Sequence, residues 1–171
     1  MTKKMIVING SGGVGKDTLI EYAGRFYKVR NISSITPVKE AASLVGWKGE
    51  KDNKSRKFLS DLKALINGYN GYIFQYILSR YGEFLESGED ILFVHIREPE
   101  EIARIRESVP SAVCMLIRTK RNIPAVSGNV SDESVENFEY DYIFDNDGDL
   151  ETERERFLEL MKTIIEVKPC Q

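Results

Sequence analysis

The run Gly10-Ser11-Gly12-Gly13-Val14-Gly15-Lys16-Asp17-Thr18 constrains the fold of this chain more than any other segment. It follows Met5-Ile6-Val7-Ile8-Asn9, a continuous apolar run of the kind that forms a buried parallel strand, and here the expected central one. After it, Leu19, Ala23 and Phe26 recur at i, i+4 and i+7 with Ile20 and Tyr27 beside them, which predicts a helix from about Lys16 to Tyr27. Strand, glycine turn and helix in that order build an anion cradle. Glycines let successive backbone N–H groups turn inward, and the helix amino terminus adds its partial positive charge. Lys16, directly after the last glycine, brings a point charge to the β- and γ-phosphates of a nucleotide.

Gly10, Gly12 and Gly15 also satisfy Gly-x-Gly-x-x-Gly, the dinucleotide turn. That fingerprint needs an acid about 20 residues on, at the end of the second strand. Here that end reads Ser33-Ser34-Ile35-Thr36 with no acid before Glu40, so the phosphate loop is preferred. Asp17 stands where the common loop has a magnesium-binding hydroxyl, with Thr18 next. Asp17 either holds magnesium directly or through water, or is only an acid well placed in a helix's first turn.

The rest of the chain alternates strands and helices. Strands are expected at Ile32 to Ile35, Ile91 to Ile96, Ala112 to Ile117 and Tyr142 to Phe144. Helices are expected at about Val38 to Val45 with Thr36 as cap, then one whose buried face is Phe58, Leu62 and Leu65 or Ile66, capped by Asp52 or Asn53. A third carries Ile73, Ile77, Tyr81 and Phe84 or Leu85 on one side; further helices run from Glu100 to Glu107 and from about Leu150 to Ile165. This alternation implies an α/β fold, a parallel sheet covered on both faces. The length of 171 residues suits one domain.

With 24 Lys and Arg against 27 Asp and Glu the net charge is −3, and no run of like charges offers a footprint for nucleic acid or an anionic membrane. No apolar stretch approaches a membrane span or a signal-peptide core, and Cys114 lies in an apolar run, so a reduced, cytoplasmic protein is expected. The single histidine, His95, excludes a His-Glu-x-x-His zinc site.

The Gly15-Lys16-Asp17-Thr18 form of the loop resembles the deoxynucleoside monophosphate kinases of phage and bacterial type, within the adenylate-kinase-like group; the loop of animal-type phosphomevalonate kinase looks similar. Lys51-Asp52-x-x-x-Arg56-Lys57-Phe58-Leu59 resembles that family's acceptor-side segment, and Val94-His95-Ile96-Arg97-Glu98-Pro99 its segment after the third strand. Tyr140 to Leu150 is similar to the strand and loop before the last helix in these kinases and in dephospho-coenzyme A kinase.

The resemblance implies a three-layer phosphate-loop fold with a five-stranded sheet in the order 2-3-1-4-5, an acceptor-binding helical segment at about 36–88 and a short lid at about 119–131. It implies ATP with Mg²⁺ as cofactors, and in-line phosphoryl transfer to a small phosphorylated acceptor, first a nucleoside or deoxynucleoside monophosphate. Dephospho-coenzyme A or phosphomevalonate remain alternatives, as does a nucleotide-binding regulatory module with little transfer. Gly10 to Thr18 would hold the nucleotide, with Asn146 near its adenine, and Asp17 the metal. Lys16, Arg97, Arg118 and Arg121 would act on the transferring group, with Arg56 and Arg97 on the acceptor. His95 takes the place where the family has an acid near magnesium.

Overall fold

A computed structural model describes residues 3–121, 135 and 138–166. Strand β1 (Lys4–Asn9) leads through the glycine loop into helix α1 (Lys16–Ala23), followed by β2 (Val29–Ser33), α2 (Thr36–Leu44), α3 (Asn53–Asn70) and α4 (Tyr72–Glu86). Then come β3 (Ile91–His95), α5 (Pro99–Ser108), β4 (Val113–Arg118), β5 (Tyr142–Asp145) and α6 (Leu150–Glu166). The five strands are parallel and ordered β2-β3-β1-β4-β5, with β1 in the middle as its unbroken apolar sequence requires.

Alternation along each strand separates two cores. Ile6 and Ile8 of β1, with Phe93, Met115 and Phe144, pack against Leu19 and Ala23 of α1 and Phe157 and Met161 of α6. Met5 and Val7, with Leu92, Val94 and Cys114, face Val38, Ile73, Ile77, Phe84, Ile102 and Ile105 from α2, α4 and α5. Helices thus cover both faces, and Cys114 is a buried free thiol.

Four expectations shift. Helix α1 stops at Gly24, because Arg25 and Phe26 bond back to Tyr22 and Ala23 three residues earlier; this tightening rotates Phe26 out to 54% exposure. In α3 the inward face is Leu59, Leu62, Lys63 and Ile66, whereas Phe58 and Leu65 are 38% and 71% exposed. The apolar periodicity excluded a lysine from the stripe, and the structure buries one there by pairing it. Strand β2 begins three residues earlier than expected, and Thr36 is the first residue of α2 rather than its cap; Asp52 does cap α3 through Ser55 N. The stretch expected as a lid lies, from residue 122 onward, outside the described residues.

The register brings Ile8 beside His95, Asn9 beside Leu116 and Arg118 beside Asp145. The ends of β1, β3, β4 and β5 therefore share one edge of the sheet, the carboxyl edge where ligands bind in open parallel sheets. Gly10 leaves that edge with φ +140°, and a Cβ on it would lie 2.2 Å from the carbonyl oxygen of Ile117 on β4. Gly12 has nothing within 4 Å of a Cβ position. Gly10→Ala should therefore lose about 3 kcal/mol of stability, since strained φ and overpacking combine there. Gly12→Ala should lose less than about 1 kcal/mol. Urea unfolding checks this, and equal losses for the two variants would contradict the packing described.

Candidate phosphate-binding site

The loop curls because Gly10, Gly13 and Gly15 all take positive φ, a region open to glycine at little cost. Gly15, at φ 94°, is the residue before α1, so the turn ends where the free N–H groups of the helix begin. Lys16 folds back across the loop: its Nζ donates to the carbonyls of Gly10 and Ser11, the latter at 2.8 Å. The ammonium is thereby held against the backbone at the start of the loop. Ser11, Gly12 and Thr18 are half-buried around it, and Gly13 is exposed.

Two buried asparagines fix the loop from below. Asn146, 7% exposed, donates from Nδ2 to the carbonyl of Val14 at 2.7 Å, and a Cβ on Gly15 would lie 2.5 Å from that nitrogen. The structure thus places this carboxamide under the loop, so Asn146 shapes the cradle from beneath. Asn9 is fully buried; its Oδ1 accepts from Gly10 N at 2.7 Å, while Nδ2 donates to the carbonyl of Arg97 at 3.1 Å and to the Tyr140 hydroxyl at 2.7 Å. Sequence reasoning passed over Asn9, although a carboxamide ending an otherwise apolar buried strand is a polar group that must find partners.

His95 ends β3 beside the loop. Its Nε2 lies 2.8 Å from Asn31 Oδ1, which assigns the ring proton to Nε2, and 3.8 Å from Asp17 Oδ1. Burial lowers its pKa; Lys16 and Arg97 push it further down, and Asp17 opposes them. His95 is neutral at pH 7. Asp17 is 91% exposed in the first turn of α1, and no cluster of three or more metal-ligating side chains occurs among the described residues. One exposed carboxylate at the loop fits Mg²⁺ held mainly by nucleotide phosphates and water.

The other expected arginines are dispersed. Arg118 pairs with Asp145 through Nε to Oδ1 at 2.5 Å across the ends of β4 and β5, and that bond holds the Asp145 carboxyl below its usual range. Arg121 Nε donates to Thr119 Oγ1 at 3.1 Å. Arg56 lies half-buried in the first turn of α3. Tyr69 and Tyr72 are 89% and 46% exposed at the α3–α4 junction, while Tyr76 packs against the core on α2's side.

A buried ionic cluster beside Arg97 was not foreseen. Lys63 Nζ meets Glu98 at 2.5 Å, Glu101 at 2.9 Å and Ser34 Oγ at 3.3 Å; Asn67 Nδ2 donates to Glu101 at 2.6 Å. Burial favours the neutral acids, but the Lys63 charge more than offsets this for Glu98, whose pKa falls. Glu101 is raised by burial and by Glu98. The cluster ties α3 to the residue after Arg97, and a lysine three residues from Ile66 inside an apolar stripe was its only trace in the sequence.

No protein-family model matches the chain, and no curated protein sequence matches it. Solved structures do. A Thermus thermophilus protein, TT1252, has a TM-score of 0.57 at 15% identity, with 95% of this chain and 98% of that one covered. A sugar kinase from a Janibacter species gives 0.56 at 13% identity, covering 98% and 96%. Shikimate kinase from Bacteroides thetaiotaomicron gives 0.53 at 14% identity, covering 96% and 99%. At these identities what is shared is the fold, an α/β phosphate-loop fold extending over nearly the whole chain.

The His95 environment sets a pH dependence. Its ordinary pKa of 6.5 applies to the unfolded chain, and folding lowers it. Stability is then fully present above pH 6.5 and declines as the pH falls toward the folded value, because only the unfolded chain takes up the proton. The slope attributable to His95 reaches at most about 1.4 kcal/mol per pH unit. Urea unfolding between pH 7.5 and 5.5 should show this slope in the wild type and a shallower one in His95→Gln; parallel profiles would contradict the desolvated ring.

Proposed function

We propose that the chain is a small-molecule kinase that transfers the γ-phosphoryl group of ATP to a small phosphorylated acceptor, foremost a nucleoside or deoxynucleoside monophosphate. The observation that carries this is the glycine loop at the start of α1 with Lys16 folded across its carbonyls, beside Arg97 two residues beyond the end of β3. Phosphoryl transfer asks a protein for position and positive charge rather than a covalent step, and those are what this edge supplies.

In this reading the amides of Gly10 to Thr18 and the Lys16 ammonium hold the ATP phosphates, and Asp17, directly or through water, orients Mg²⁺ against them. The metal, when bound, neutralises charge on the β- and γ-oxygens. Arg97 and Arg56 hold the acceptor phosphate, and an acceptor oxygen attacks Pγ as the bond from Pγ to the β-phosphate oxygen breaks. ADP leaves with the electron pair of that bond. The acceptor phosphate is already ionised, so no base is needed, in keeping with His95 being spent on Asn31. Arg118 and Arg121 are the further cations assigned to the transferring group in this reading, which requires Arg118 to exchange Asp145 for it. The reaction fits the cytoplasm, with no nucleic acid or membrane partner.

A second reading, a nucleotide-binding regulatory module with little transfer, has one observation in its favour: a histidine with a lowered pKa, rather than an acid, occupies β3's end beside an exposed Asp17. The shared fold of kinases named for shikimate and for sugar also puts hydroxyl acceptors on the same test, beside dephospho-coenzyme A and phosphomevalonate. ADP release with ATP and Mg²⁺ should rise severalfold or more with one nucleoside monophosphate. It should fall at least about 100-fold in Lys16→Ala, in line with loss of a charge-stabilising contact. ATP binding without stimulation by any acceptor would support the regulatory reading instead.

A further inference from the structure

The donor side and the acceptor side of the proposed site are joined by a single buried carboxamide, and its orientation is set from a third place. Asn9 Oδ1 accepts from the amide of Gly10, the first residue of the phosphate loop; Nδ2 donates to the carbonyl of Arg97 and to the hydroxyl of Tyr140. That hydroxyl in turn donates to the carbonyl of Val135 at 2.6 Å.

The directions of these bonds are not interchangeable. A backbone carbonyl only accepts, so the Tyr140 proton goes to Val135 and the phenol oxygen is left to accept. It therefore requires the NH₂ end of Asn9, which turns the oxygen end toward Gly10 N–H. A carboxamide reversed by half a turn would set a donor against Gly10 N–H and an acceptor against Arg97's carbonyl.

Tyr140 is well placed to serve as a fixed reference. Its ring stacks edge-on against Phe138 at 5.1 Å between centroids. Arg106 covers Phe138, donates to the carbonyl of Glu139 at 3.1 Å and pairs with Asp141 at 2.9 Å. Asp141 also accepts from Cys114 N on β4 at 2.7 Å. Residues 138–141 are thus secured to α5 and β4 independently of Asn9.

We propose that Tyr140 is a positioning residue for the phosphoryl transfer inferred above: through Asn9 it fixes, together, the Gly10 amide of the phosphate loop and the backbone of Arg97. This rests on that functional reading. Its kinetic consequence is particular. Binding of ATP alone, or of the acceptor alone, tests one side of the carboxamide, whereas the transition state needs both sides in register. Loss of the hydroxyl should therefore reduce kcat more than it weakens either substrate.

The test uses Tyr140→Phe, which keeps the ring, with Asn9→Ser and the double variant. The expected result is a fall in kcat of about 10-fold in Tyr140→Phe with both KM values within about twofold of wild type. The double variant should lose no more than Asn9→Ser alone, because the two residues act through one carboxamide. Amide exchange at Gly10, relative to Ile8 on the same strand, should quicken at least about 10-fold in Tyr140→Phe, and this is read in the resting protein without substrate. An active wild type with unchanged kcat in Tyr140→Phe, or losses that multiply in the double variant, overturns the proposal. If the wild type shows no acceptor-dependent transfer, the functional reading fails by itself, and unchanged Gly10 exchange then overturns the relay separately.

Discussion

The site depends on how β1 ends. A central parallel strand has neighbours on both sides, and the chain must leave it at the carboxyl edge without clashing with β4, whose Ile117 carbonyl oxygen would be 2.2 Å from any Cβ at position 10. Glycine solves the steric problem but brings no side chain to hold the turn. The structure supplies the hold from elsewhere: Asn9 from the strand itself, Asn146 from the end of β5, and Lys16 across the loop's carbonyls. Each buried amide group meets a partner, which the low dielectric around them makes necessary.

Around that turn, the electrostatics divide into two zones. At the loop, Lys16 lies across its carbonyls, Asp17 is exposed in the first turn of α1, and burial lowers the pKa of His95. Behind Arg97 lies an ionic cluster in which one lysine faces two carboxylates, buried between α3 and α5. Such clusters contribute little net stability, because desolvation consumes most of the Coulomb attraction, but they fix geometry. Here the geometry fixed is that of α3 against the segment that follows β3 and opens α5.

Much of this was legible beforehand, and the reasons are physical. The phosphate loop could be read because its glycines have no substitute at positive φ, and the sheet because continuous apolar strands between helices admit few arrangements. What escaped were polar groups whose role depends on distant partners. Lys63 in an apolar stripe, Asn9 at a strand end and Asn31 on β2 are visible as polar residues, but their partners are not until the fold brings Glu98, Arg97 and His95 to them. Element ends also moved, as with α1 at Gly24, where a change to three-residue turns leaves no mark on apolar periodicity.

If the glycine loop is a phosphate cradle, nucleotide phosphates bind there, against Lys16. Titration of MgATP into isotopically labelled protein, followed residue by residue through backbone amide resonances, tests it most directly. Saturable shifts should be largest at Gly10 through Thr18, extend to His95 and weaken in Lys16→Ala. Shifts centred elsewhere, for example on the exposed tyrosines at the α3–α4 junction, with the loop amides unmoved, would contradict it.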